Sequence, residues 1–145
     1  VKFQNLLKKM SLLEERNKKV VSKKEKIPDS KAQIILDKIA DFEKNEDYLL
    51  VECSLSFMAE KLETNTTYLS KAINTYKGKS YTTYITELRI DAALIKLKNN
   101  KTLQSYNMTA IAATFGFKRQ ETFSKAFKAH TGIYPSQFLK NIKEK

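Results

Sequence analysis

The 145-residue sequence has no tryptophan, one cysteine, one histidine, three glycines and two prolines. Each scarcity excludes something. A lone Cys53 makes no intrachain disulfide and no cysteine-based metal site, and it suits a reducing compartment. With His130 the only histidine, no Ser-His or Cys-His pair forms without it, and no candidate acid, base or nucleophile clusters beside it. Few Gly and Pro argue against long structureless loops and against a many-turned all-β chain. No apolar run reaches roughly 18 residues, so no transmembrane helix lies within this sequence. Val1 to Val21 is charged and amphipathic rather than a signal peptide. No Gly-rich phosphate loop is present. The expectation is a protein that is not an enzyme, with no catalytic residues, no metal and no cofactor.

Acidic residues are also in short supply. Sixteen Asp and Glu face 27 Lys and Arg, giving a formal charge of +11 and a pI near 9.6. That balance favours a polyanionic partner: DNA, RNA or an anionic membrane surface.

What the sequence has is helical periodicity. Ala32, Ile35, Leu36, Ile39 and Phe42 share one side of a helix over 31–45. Tyr48 to Cys53 is short and apolar and reads as extended. Ser54 caps a helix carrying Leu55, Met58, Ala59 and Leu62; Asn65 caps one carrying Leu69, Ala72, Ile73 and Tyr76. Tyr81 to Asn99 forms the longest helix, spanning about 28 Å at 1.5 Å per residue. Its apolar set is Tyr84, Ile85, Leu88, Ala92, Ile95 and Leu97. Asn99 to Thr102 is a polar break and a short connection. Met108, Ile111, Ala112 and Phe115 then share a face, Gly116-Phe117 breaks the pattern, and Phe123, Ala126 and Phe127 restart it until Gly132. A last helix begins near Pro135 with Phe138, Leu139 and Ile142.

Two parts of this pattern repeat. Ser70-Lys71-Ala72 recurs as Ser124-Lys125-Ala126 and Gly78 as Gly132, both 54 positions on. Met58-Ala59 recurs as Ile111-Ala112 after 53, so the second turn is one residue longer. The expected fold is all-α: two helix-turn-helix subdomains (31–79 and 101–145) joined by a linker helix (80–100) and preceded by a basic amphipathic segment (1–30). In such a motif the second helix can enter a DNA major groove. Its outward faces hold residue types that read base edges. The outward face is Thr67, Ser70, Lys71 and Asn74 in the first unit and Glu121, Ser124, Lys125 and Lys128 in the second, with Arg119 and Gln120 at that helix's start. Asn74, Lys79, Lys118 and Lys128 are expected on phosphates.

The stretches SLSFMAEKLETNTTYLSKAI, GKSYTTYITELRIDAALIKL and IAATFGFKRQETFSKAFKAHTGIYPSQF resemble the arabinose-regulator (AraC/XylS) family of bacterial transcription factors. The most diagnostic pieces are Ile111-Ala112 with Gly116-Phe117, the run Phe123 to Lys128, and Gly132 to Pro135. Arg89 with Ala92-Ala93-Leu94 resembles the family's linker-helix signature. The resemblance implies sequence-specific binding to double-stranded promoter DNA by two recognition helices in successive major grooves, and, carried over by position, base reading by Thr66, Thr67, Ser70 and Lys71 in the first unit and by Arg119, Gln120, Glu121 and Lys125 in the second. It also implies contact with RNA polymerase and a cytoplasmic location. Arg119 stands where members often carry a small capping Ser, so the second recognition helix is expected to start poorly capped. The first recognition helix lacks large readers.

Phe3, Leu6, Leu7, Met10, Leu13 and Val20 form a stripe on the Lys-rich N-terminal segment. The expectations are a homodimer through residues 1–27, a membrane-proximal position, or a frayed linker. The segment resembles the juxtamembrane stretch of membrane-anchored sensors of the same family. The opening Val1 fits a domain cut from a longer protein. The alternative function is an adaptor that binds a membrane surface or protein partner through this helix. An RNA-binding role ranks lower, because the aromatics sit at core spacing rather than on stacking platforms.

Overall fold

The computed structural model describes residues 2–18 and 30–143. Among them the regular elements are helices: α1 (Lys2–Lys18), α2 (Ser30–Asn45), α3 (Leu55–Lys61), α4 (Thr66–Lys77), α5 (Tyr81–Asn99), α6 (Lys101–Gln104), α7 (Met108–Thr114), α8 (Gln120–Thr131) and α9 (Pro135–Lys143).

Side-chain caps fix most of the starts. Ser54 Oγ accepts from the Phe57 amide at 3.1 Å, Asn65 Oδ1 from Tyr68 at 2.8 Å, and Ser80 Oγ from Thr83 at 3.2 Å. Asn100 and Asn107 do the same for Leu103 at 2.9 Å and Ala110 at 2.8 Å. Each such bond satisfies an amide the helix itself cannot, a contribution of about 1 kcal/mol. The α4 and α8 ends are set by Gly78 and Gly132, both at positive φ, whose amides close onto the Asn74 and Lys128 carbonyls.

The linker helix α5 is the axis of the molecule. It buries Tyr84, Ile85, Ile90, Ala92, Ala93, Leu94 and Leu97, which point in several directions rather than along one stripe. The reason is that α4 packs on one part of it, α8 and α9 on another, and α1 along a third. Leu88 and Ile95, expected in the core, are half-buried, while Ile90 is fully enclosed. The second unit's core is aromatic. Phe123 stacks on Phe115 at 6.3 Å, meets Phe117 edge-on at 5.4 Å and Phe127 at 5.7 Å; Phe127 in turn lies 5.5 Å from Phe138. The first unit's core is aliphatic, centred on Met58, Leu69 and Ile73.

Four further expectations change. Residues 48–53 do not form an extended segment. Asp47–Leu49 forms a 3-10 turn, and the Leu49, Leu50 and Cys53 amides bond to the carbonyls three residues back. Among the described residues no neighbouring strand is there to pair an extended segment, so the backbone satisfies itself locally. The polar connection after Asn99 contains the one-turn helix α6, with Leu103 and Gln104 buried; Gln104 Nε2 donates to the Leu97 carbonyl at 2.7 Å. Tyr76, assigned to an apolar face, is 37% exposed.

The fourth change concerns α1. Phe3, Leu6 and Met10 are buried in the chain's own core, with Leu7 packed beside them. The Phe3 ring lies 6.1 Å from Phe138, and Glu14 Oε1 accepts from Lys98 Nζ at 3.4 Å. The apolar stripe thus covers α5 and α9 instead of standing open to a membrane or a partner helix. Val20, and residues 19–29 with it, lie outside the described residues.

Candidate nucleic-acid interface

The two units share one backbone device. In the first, the Thr64 amide bonds back to the Ala59 carbonyl at 2.9 Å; in the second, the Phe117 amide bonds back to the Ala112 carbonyl, also at 2.9 Å. Between these ends Glu63 and Gly116 occupy the left-handed region, with φ of 58° and 86°. Ala59 and Ala112, Thr64 and Phe117, and Glu63 and Gly116 all stand 53 positions apart. The N-cap positions Asn65 and Arg119 stand 54 apart. The extra residue therefore falls between Phe117 and Arg119. It is Lys118, and it is exposed.

The first recognition helix, α4, turns Leu69, Ala72 and Ile73 inward. Thr67, Lys71 and Asn74 are exposed, and Thr66 and Ser70 half-buried. These five line one shallow, open depression, completed by Thr75 and by Leu55 at the start of α3. The structure brings all four first-unit reader candidates together with Asn74.

The second recognition helix, α8, buries Phe123 and Phe127 and exposes Gln120, Glu121 and Lys125, with Arg119 and Lys118 ahead of it. Arg119 gives no side-chain cap, as its size and charge lead one to expect. The first-turn amides of α8 consequently lack a side-chain cap, at the positive end of the helix dipole. Gln120 is held: Thr109 Oγ1, from the first turn of α7, donates to its Oε1 at 3.1 Å. Thr109 was not among the expected residues. Only the packing of α7 against α8 puts it next to Gln120.

The cations divide into two groups. Lys71, Lys118, Arg119 and Lys125 are exposed and make no ion pair among the described residues. Lys79 pairs with Glu87. Lys128 is half-buried; its ammonium donates to the Gly132 carbonyl at 2.8 Å and lies 5.3 Å from the Tyr134 ring centroid. Its place in the last turn of α8 suits a cation at a helix C-terminus. Lys79 and Lys128 thus have intramolecular work that the sequence pattern does not reveal.

A helix-turn-helix domain family model matches residues 58–141, more than half the chain. The chain belongs to the AraC-type helix-turn-helix family. This AraC-type domain is 33% identical over 91 residues to the raffinose operon transcriptional regulatory protein RafR of Pediococcus pentosaceus, covering 62% of this chain and 31% of that protein. It therefore spans about a third of the length of that relative. It is also similar to the C-terminal domain of AraT, a response regulator from Geobacillus stearothermophilus, with TM-score 0.62, 26% identity, and coverage of 74% of this chain and 84% of that one. An AraC-type transcriptional regulator from Chromobacterium violaceum shares the fold, with TM-score 0.60 at 20% identity over 79% of this chain and 96% of that one. The AraC-type domain is a DNA-binding module of transcription regulators, not an enzyme. Among the described residues no helix is long and apolar enough to cross a membrane.

Proposed function

We propose that both units engage promoter DNA at once, with α4 and α8 in successive major grooves about 34 Å apart. The supporting observation is the pair of matching helix-turn-helix units held on one linker helix, each with a polar exposed face. Thr66, Thr67, Ser70 and Lys71 read bases in one groove; Arg119, Gln120, Glu121 and Lys125 read them in the other. Lys and Arg suit guanine, Gln adenine and Glu cytosine. Lys118 and Asn74 meet phosphates. Lys79 and Lys128 are already engaged by Glu87 and the Gly132 carbonyl, so they contribute less.

The whole protein is a transcription regulator acting in the cytoplasm, with RNA polymerase as its protein partner. Dimerisation through residues 1–27, or a membrane-proximal N-terminus, finds the apolar face of α1 occupied and its outer face, with Lys8, Ser11 and Leu12, open. The adaptor reading loses its main support for the same reason.

The test is binding to duplex DNA over a range of salt. Counterion release predicts that affinity falls steeply as salt rises. A flat response, or preference for anionic vesicles over DNA, would contradict the proposal.

A further inference from the structure

Arg89 projects from the middle of α5 and touches both units. Its Nε donates to the Tyr48 carbonyl at 2.6 Å and its Nη2 to the Leu50 carbonyl at 2.9 Å. Those carbonyls belong to the first unit, in the turn between α2 and α3. On the other side, its guanidinium carbon lies 5.6 Å from the centroid of Phe117, in the turn of the second unit. Gly116 completes the joint. A Cβ there would stand 2.6 Å from Arg89 Nε, so a side chain would displace the guanidinium and, at a φ of 86°, would also strain the turn. A planar fork that grips two carbonyls while its face meets a ring is a role for which lysine is a poor substitute.

We infer that Arg89 is a positioning residue: it fixes the rotation of one recognition helix relative to the other and so sets the half-site spacing the domain accepts. The inference rests on the reading that both units bind DNA together. Two linked readers gain most when their connection holds them at the spacing of their sites, and a stiff joint rejects other spacings. Shifting one half-site by two base pairs rotates it by about 70° around the duplex. A rigid joint cannot follow; a loosened one follows in part.

The experiment uses the intact chain and a site obtained by selection from random duplexes. Affinities are measured at one salt concentration for duplexes with the selected spacing, with two base pairs added or removed, and with one block alone. Wild type is compared with Arg89→Lys, Arg89→Met and Phe117→Leu, each checked by thermal melting. Wild type should lose about tenfold or more on either spacing change, and the variants about threefold or less. Affinity for the single block should stay within about twofold in every variant. If Arg89→Met does not fold, Arg89→Lys and Phe117→Leu carry the comparison. An unchanged spacing penalty in the folded Arg89 variants would overturn the inference. So would an equal loss on every duplex, the single block included, since that marks a purely structural residue. A wild type indifferent to spacing would remove the two-unit reading itself, and Arg89's role with it.

Discussion

Phe3 and Phe138 meet with ring centroids 6.1 Å apart and planes inclined at 56°, so the first helix of the chain is packed against the last. Met10, two turns further along α1, is fully enclosed. The basic N-terminal helix is thus part of the same core as the second unit. Replacing Met10 or Phe3 with alanine should destabilise the fold by about 2–5 kcal/mol, read as a lower urea midpoint. Unchanged stability in both variants would mean that α1 does not dock.

Gly116 provides a sharper test of the second unit. Its φ is 86° and the Arg89 guanidinium fills the space a Cβ would need. Gly116→Ala should therefore cost at least about 1–3 kcal/mol, combining backbone strain with displacement of Arg89. Gly78→Ala is the matched control, because nothing lies within 4 Å of its Cβ position. It should cost less in the same thermal melts.

Lys125 and Lys118 separate base reading from charge. Lys125→Ala should cost about 1–3 kcal/mol at the selected site and relax preference at one position. Lys118→Ala should weaken binding evenly across sequences and reduce the salt slope by about one. Titrations on specific and random duplexes distinguish the two. An equal loss on both duplexes for Lys125→Ala would reassign it to a phosphate.

Burial pushes the Cys53 thiol pKa up, as it does those of the Tyr48, Tyr81 and Tyr84 phenols. A raised folded-state pKa holds the proton more tightly in the folded protein. Stability is then complete below the unfolded-state pKa values, about 8.5 for the thiol and 10 for the phenols, and declines as pH rises beyond them. The urea midpoint should drop between pH 8 and 10.5, values set by those reference pKa's. Cys53, buried and neutral at pH 7, should react with a thiol reagent slowly when folded and quickly when unfolded.

Much of this was legible beforehand because it is local. Ser54 and Asn65 cap their helices where the polar-to-apolar switch indicates, and the 53- and 54-residue offsets mark the longer second turn in the sequence itself. What was not legible depends on contacts distant in sequence. The apolar run Tyr48 to Cys53 fits a strand or a turn equally well until Arg89, some forty residues on, draws two of its carbonyls inward. The stripe of α1 looks the same whether it meets a lipid, a partner or its own α5. Lys79 and Lys128 resemble free surface cations until Glu87 and the Gly132 carbonyl are placed beside them. Arg89 carried a family resemblance in sequence, but its double contact is visible only in three dimensions.

The most direct test of two-headed reading is selection of bound duplexes from a random pool, run with wild type, with Thr67→Ala/Lys71→Ala and with Glu121→Ala/Lys125→Ala. Wild type should select two blocks about one helical turn, 10–10.5 base pairs, apart. Each double variant should erase a different block and leave the other. A single block in wild type, or loss of the same block in both variants, would contradict the account.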